Sequence, residues 1–241
     1  MRSRILRLVF APSLLLAVTA APMAALAVGA SISPYAAIHQ RAQQAFRALQ
    51  TRTPQAEAEW QSNQPGIHML LGLDEPLIGA TPALRGDGFL RANEALIGVP
   101  AAQLRAIEPS VSRQRTVLRY QQMVRVGDKE LRVLDGEVTL TFDNANGHLL
   151  RVVSAAMPVL HIVPGALTRE EAVVKAQAAS AGSTFGRGNA QSAEEAVIAR
   201  AQGARHVWIV HVPGASLKDL RTLAVDAQTG AVTRMPNRVM D

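Results

Sequence analysis

The sequence predicts an α+β protein built from two units, each a helix packed on an antiparallel sheet, behind a leader peptide. Three observations predict it. Residues 117–153 alternate apolar and polar side chains, as in Val138, Leu140 and Phe142 against Glu137, Thr139, Thr141 and Asp143, and Gly/Asp/Asn clusters break the pattern. An amphipathic helical stripe precedes this meander. A second helix start, Thr168-Arg169-Glu170-Glu171, precedes a further set of strand-like runs that closes on Gln228-Thr229-Gly230.

The leader comes first in the chain. Arg2, Arg4 and Arg7 form a positive start, residues 8–20 are apolar apart from Pro12, Ser13 and Thr19, and Ala25-Leu26-Ala27 is a small-x-small cleavage site. That is the pattern of a secretory signal peptide over residues 1–27. Its apolar run falls short of the ~20 residues that span a bilayer. No stable membrane insertion is expected once it is removed, and the product is expected to be exported, periplasmic or extracellular. Removing its three arginines leaves 22 basic against 19 acidic side chains, a formal +3 in place of +6. With basic residues dispersed and nine aromatics in all, this balance argues against a nucleic-acid partner. There is no cysteine, hence no disulfide and no thiol chemistry, and the exported chain must be stabilised by its core.

Residues 28–66 read as a leader helix and a linker. Over residues 35–50, Ile38, Ala42, Ala45, Phe46 and Leu49 share one helical face, with Gln40, Arg41, Gln44 and Arg47 opposite. Packing of this face on the following domain is the expectation, and adsorption to a membrane surface is the alternative. Residues 51–66 are rich in turn formers. A short strand is expected over 67–73 and turns over 74–86. A helix capped by Asp87 follows, with Phe89, Leu90, Ala92, Leu96 and Ile97 facing the core and Gly98-Val99-Pro100 ending it. Leu104, Ile107 and Val111 lie in the connection to the meander, whose turns are expected at Gly127-Asp128, Asp135-Gly136 and residues 144–147. This first unit covers residues 67–160.

Pro158, Pro164 and Gly165 mark the boundary, and residues 161–241 form the second unit. Its helix opens on a capping box, in which the Thr168 hydroxyl and the Glu171 carboxylate each satisfy an orphan N–H. A Gly/Ser-rich loop over 179–189 follows, and then strands over 196–200, 206–212, 220–226 and 231–235.

No catalytic constellation emerges. The histidines are His39, His68, His148, His161, His206 and His211, and none stands four residues from another on a helix. His206 and His211, five apart on a strand, point to opposite faces. No metal or cofactor site is therefore expected. Gly182-Ser183 and Gly214-Ala215-Ser216 lack the nucleophile-elbow pattern, and Gly186-Arg187-Gly188 lacks the spacing of a phosphate loop. The adjacent acids Glu170-Glu171 diverge by about 100° on a helix, so capping accounts for them better than acid–base catalysis.

Particular words in the chain resemble known modules. Gly88-Phe89-Leu90, residues 118–122 with Tyr120-Gln121-Gln122, Gly136-Glu137-Val138, and Asp143 to Gly147-His148-Leu149 resemble the fungalysin/thermolysin propeptide domain. Residues 167–172 and 223–232 resemble a PepSY domain. The ordered pair covers about residues 67–235. Two departures fall at one hairpin: Asp135 stands where the family has the first of two glycines, and Arg132 where it often has proline. An Asp-Gly pair still suits a tight turn.

The resemblance implies cystatin-like units and a module that chaperones or inhibits a thermolysin-type zinc metalloprotease. The sequence contains no His-Glu-x-x-His, so the implied partner is a separate protease molecule. In a full precursor the tail of the propeptide runs into the protease. On that ground Val239, Met240 and Asp241 are the implied contact residues. Two other readings remain open: an interaction module of the cell envelope, and a remnant propeptide that has lost its enzyme.

Overall fold

A computed structural model describes residues 34–180, 192–213 and 220–236. The signal peptide, most of the Gly/Ser-rich loop, and Val239, Met240 and Asp241 lie outside the described residues. The fold is α+β: helices pack on one large mixed sheet. In chain order the elements are α1 (Pro34–Gln50), β1 (Glu57–Glu59), β2 (Met69–Leu71), β3 (Glu75–Pro76), α2 (Pro82–Ala92), α3 (Glu94–Ile97) and a 3-10 turn (Ala101–Gln103). Then come β4 (Leu104–Ala106), β5 (Ser110–Val111), β6 (Arg115–Val126), β7 (Lys129–Asp143), β8 (His148–Ser154), α4 (Arg169–Ser180), β9 (Ser192–Arg200), β10 (Gly203–Pro213), β11 (Leu220–Asp226) and β12 (Val232–Arg234).

α1 starts at Pro34, whose fixed φ suits a first helical residue. Ile38, Ala42 and Leu49 are buried along its apolar stripe, and Ala45 and Phe46 pack against the same core. Trp60 meets the edges of His39 and Phe46, with ring centroids 5.2 and 6.2 Å apart. The segment expected as a linker is built into the fold: β1 pairs with β2, and Thr53, Ala56 and Gln64 are buried. Gln64 Nε2 donates to the carbonyls of Ile67 and Ser154, so turn-forming composition here marks a packed loop.

The second helix starts earlier than the sequence suggested. Thr81 caps it, its hydroxyl accepting from the Leu84 N–H, and Pro82 opens the first turn. Asp87 lies mid-helix and accepts a hydrogen bond from the Tyr120 hydroxyl at 3.1 Å. Phe89, Leu90, Leu96 and Ile97 are buried as expected, whereas Ala92 is exposed. Asn93, at φ −123° and ψ 26°, separates α2 from α3, and Gly98 ends α3 in the left-handed conformation at φ 87°.

The sheet runs β1-β2-β8-β7-β9-β10-β11-β12, with β3 on β8, β6 on β7, and β4 and β5 on β6. β6, β7 and β8 are the meander, and the Gly127-Asp128 turn joins Val126 to its partner Lys129. Asp135-Gly136, however, is no turn. Arg132 pairs with Met123 and Glu137 with Gln121 on the same neighbour, so the chain bulges within β7 without reversing. Asp135 sits at φ 63°. A Cβ on Gly136 would lie 2.8 Å from the Gln122 side-chain oxygen, which is why glycine stands there.

Beyond the bulge β7 changes partners. Residues 138–143 lie between β6 and β8, while Val133 pairs in parallel with Val197 of β9. Leu118, Tyr120, Val138, Leu140, Phe142, Leu149 and Val152 face α1, α2 and α3 in one core. Trp208, Val210, Leu223 and Val225 of β10 and β11 pack under Ala172 and Ala176 of α4. Val124, Val126, Leu131 and Val133 join Met157, Val197 and Ala199 in a third cluster that bridges the two sets of strands.

Candidate functional site

Among the described residues, helices cover one side of the β6–β8 meander. Strand geometry sends every second residue to the other side. Cross-strand partners place Val117, Thr141 and Arg151 in one row on that open face, and Arg119, Thr139 and Val153 in the next. Met69 extends the second row through its pairing with Val153. At the other side Ile107 adjoins Arg119, its N–H donating to the Arg119 carbonyl at 2.8 Å. Arg119 and Arg151 are exposed, Val117, Thr139, Val153 and Met69 are half-buried, and Leu71 and Ile107 are 40% and 36% exposed.

Three guanidiniums, Arg115, Arg119 and Arg151, are carried on this face, and none has an ion-pair partner among the described residues. Between them Thr141 is buried at 2% exposure, with a hydroxyl that has no hydrogen-bond partner among the described residues. Unpaired arginines among half-buried apolar side chains suit a protein surface bearing carboxylates. Arginine forms forked, charge-assisted bonds to carboxylates, and the apolar rows supply the area.

The three consecutive residues Tyr120-Gln121-Gln122 hold this face in shape, each by a different contact. The Tyr120 hydroxyl bonds Asp87 across to α2; burial and then the Asp87 charge push its phenol pKa well up. Gln121 Nε2 donates to the carbonyls of Val133 (2.8 Å) and Gly136 (3.2 Å), stitching the β7 bulge. Gln122, fully buried, donates to the Met157 carbonyl at 2.8 Å and accepts from the Met157 N–H at 3.0 Å. Its amide thus imitates a strand partner and fixes the segment that leaves the meander.

The histidines are dispersed. His39 reaches the Pro65 carbonyl, His68 the Ser154 carbonyl, His148 the Asp74 carboxylate at 2.7 Å, and His211 the Thr222 hydroxyl. Among the described residues no group of three His, Asp or Glu side chains is placed to hold a metal. Glu194 and Glu195 pair with Arg132 and Lys129 of β7. The Glu171 carboxylate takes both the Thr168 N–H (2.8 Å) and its hydroxyl (3.0 Å), which hold it below the usual carboxylate range. Among the described residues no helix is long and apolar enough to cross a membrane.

The arginines of the open face were not singled out in the sequence, although the alternation that places them was. Their signal was the polar half of the meander.

No family model and no curated protein matches this chain. Among solved structures it is similar to the Bacillus megaterium YpeB C-terminal domain, at 12% identity and a TM-score of 0.33, over 82% of this chain and 97% of that one. A likeness of that size bears on neither activity nor partner.

Proposed function

We propose that this chain is an exported, non-catalytic, propeptide-like module that binds a thermolysin-type zinc metalloprotease in trans, as folding assistant or inhibitor. In this reading residues 67–160 act as the fungalysin/thermolysin propeptide domain and residues 161–241 as the PepSY domain, each a cystatin-like helix on a sheet. The observation that supports it most is where the family's words fall. Tyr120-Gln121-Gln122 and Gly136 brace the meander whose other face carries arginines with no ion-pair partner among the described residues, a surface suited to docking. Arg119 and Arg151 join Val239, Met240 and Asp241 as proposed contact residues.

The test mixes the mature chain with a panel of thermolysin-type proteases and follows hydrolysis, binding and refolding yield. Three forms are compared: the whole chain, the chain without its last six residues, and the Arg119→Glu/Arg151→Glu double variant. The whole chain is expected to inhibit or to raise refolding yield for at least one protease. The charge reversal should weaken binding at least about tenfold at low salt, and less so as salt screens the face. Absence of binding, inhibition and refolding gain across the panel would sink the reading.

A further inference from the structure

The segment between the meander and α4 is held to β10 and to Ala227, just past the end of β11, by three hydrogen bonds. The Leu167 N–H donates to the Ala227 carbonyl at 3.0 Å, and Trp208 Nε1 donates to the Leu167 carbonyl at 2.9 Å. The third is unusual: the Gly165 N–H donates to Nδ1 of His206 at 3.0 Å. Gly165 lies so close to Ala227 that a Cβ on it would fall 2.3 Å from the Ala227 carbonyl carbon. The backbone is thus pressed against Ala227 at the end of β11, and the imidazole is the acceptor that secures it.

A nitrogen that accepts an N–H carries no proton, so the imidazole is neutral, with its own proton on Nε2. Nε2 is buried and has no hydrogen-bond partner among the described residues. The nearest carboxylate oxygen, on Glu195 of β9, is 3.9 Å away, and both oxygens of that carboxylate are held by Lys129 Nζ of β7 at 2.8 Å. Asp226 of β11 is engaged by the Gln228 and Thr229 N–H groups, with Arg205 of β10 at 3.9 Å. Every anion near the ring therefore has a nearer partner. Burial is the main cause that pulls the His206 pKa down, with Lys129 adding to it and Glu195 and Asp226 opposing.

We propose that His206 is an acid-released latch: protonation at Nδ1 removes the acceptor for Gly165, faces its N–H with a second donor, and frees the segment leading into α4. The direction follows from linkage. The latched state disfavours the charged ring, so latching contributes fully above the free-histidine value of about 6.5 and is lost as pH falls through the lower, latched midpoint. Between those two midpoints each pH unit should raise the open fraction by up to about tenfold.

The test is amide hydrogen exchange of Gly165 and Leu167, read as protection factors on the mature chain from neutral to mildly acidic pH, alongside the His206 ring titration by NMR. Gly165 protection is expected to fall in step with the ring, while Leu140 in the meander core holds. Lys129→Met leaves the ring and its acceptor intact and frees Glu195, so it should move the midpoint to higher pH. His206→Phe should remove the pH dependence of Gly165 protection. Gly165 protection that stays constant while the ring titrates would overturn the latch, as would a Lys129→Met midpoint that does not rise. Both readouts are independent of any protease, so they stand or fall apart from the proposed function.

Discussion

Gln122 shows how a single polar side chain can be worth more than an apolar one. It is fully buried, and its amide serves the Met157 N–H and carbonyl at once. Removing it leaves two buried backbone groups without partners, and each such group costs about 1–3 kcal/mol. Gln122→Ala is therefore expected to lower the unfolding free energy by about 2–4 kcal/mol in a denaturant titration. Gln122→Glu should be no rescue at neutral pH, because a carboxylate cannot donate to the Met157 carbonyl. Tyr120 gives a second residue-level expectation. Asp87 adds to the upward shift that burial begins, so Asp87→Asn should lower the phenol pKa towards its ordinary value. A tyrosinate absorbance titration in a Tyr35→Phe background isolates the one remaining phenol. If Asp87 instead capped the helix, the same substitution would chiefly lower helix content and leave the phenol in place.

At the scale of elements, the two helix starts separate what a local pattern reveals from what it conceals. The capping box at Thr168 was legible because both of its partners lie within four residues, and the structure has both bonds. Its pH dependence has a definite sign. The Glu171 carboxylate is held below its ordinary value, so its contribution is present above that value and fades as pH falls through the depressed one. Comparing Glu171→Gln with the parent by thermal unfolding should give a gap near neutrality that closes on acidification. The start of α2 was concealed: Thr81-Pro82 carries a cap signal, but it sits among residues that also read as turn formers. Thr81→Ala is expected to cost about 0.5–2 kcal/mol. The meander strands were legible through period-two alternation, and Val138, Leu140 and Phe142 are buried accordingly. Asp135-Gly136 misled because a left-handed residue serves a tight turn and a bulge equally well. Only the non-local pairing of β7 with β6 on both sides of it decides between them.

At the scale of the whole molecule the decisive contact is the least local one. Val133 and Val197 are 64 residues apart and pair in parallel, and nothing in either strand's own pattern announces it. The cluster around them draws Val124, Val126 and Leu131 from β6 and β7 and Val197 and Ala199 from β9, so neither set of strands buries it alone. Strands that share a core should unfold together. The chain has two tryptophans, one on each side of that core: Trp60 packs on the α1–meander core and Trp208 on the α4 core. Trp208→Phe and Trp60→Phe variants thus report each side separately by fluorescence. Their denaturation midpoints are expected to coincide. Val133→Ala, which removes buried volume from the shared cluster, should lower both midpoints together, by the equivalent of about 2 kcal/mol of unfolding free energy. Two separated transitions, or a Val133→Ala shift confined to the Trp60 side, would mean that the parallel bridge and its ion pairs do not couple the two helix-covered cores.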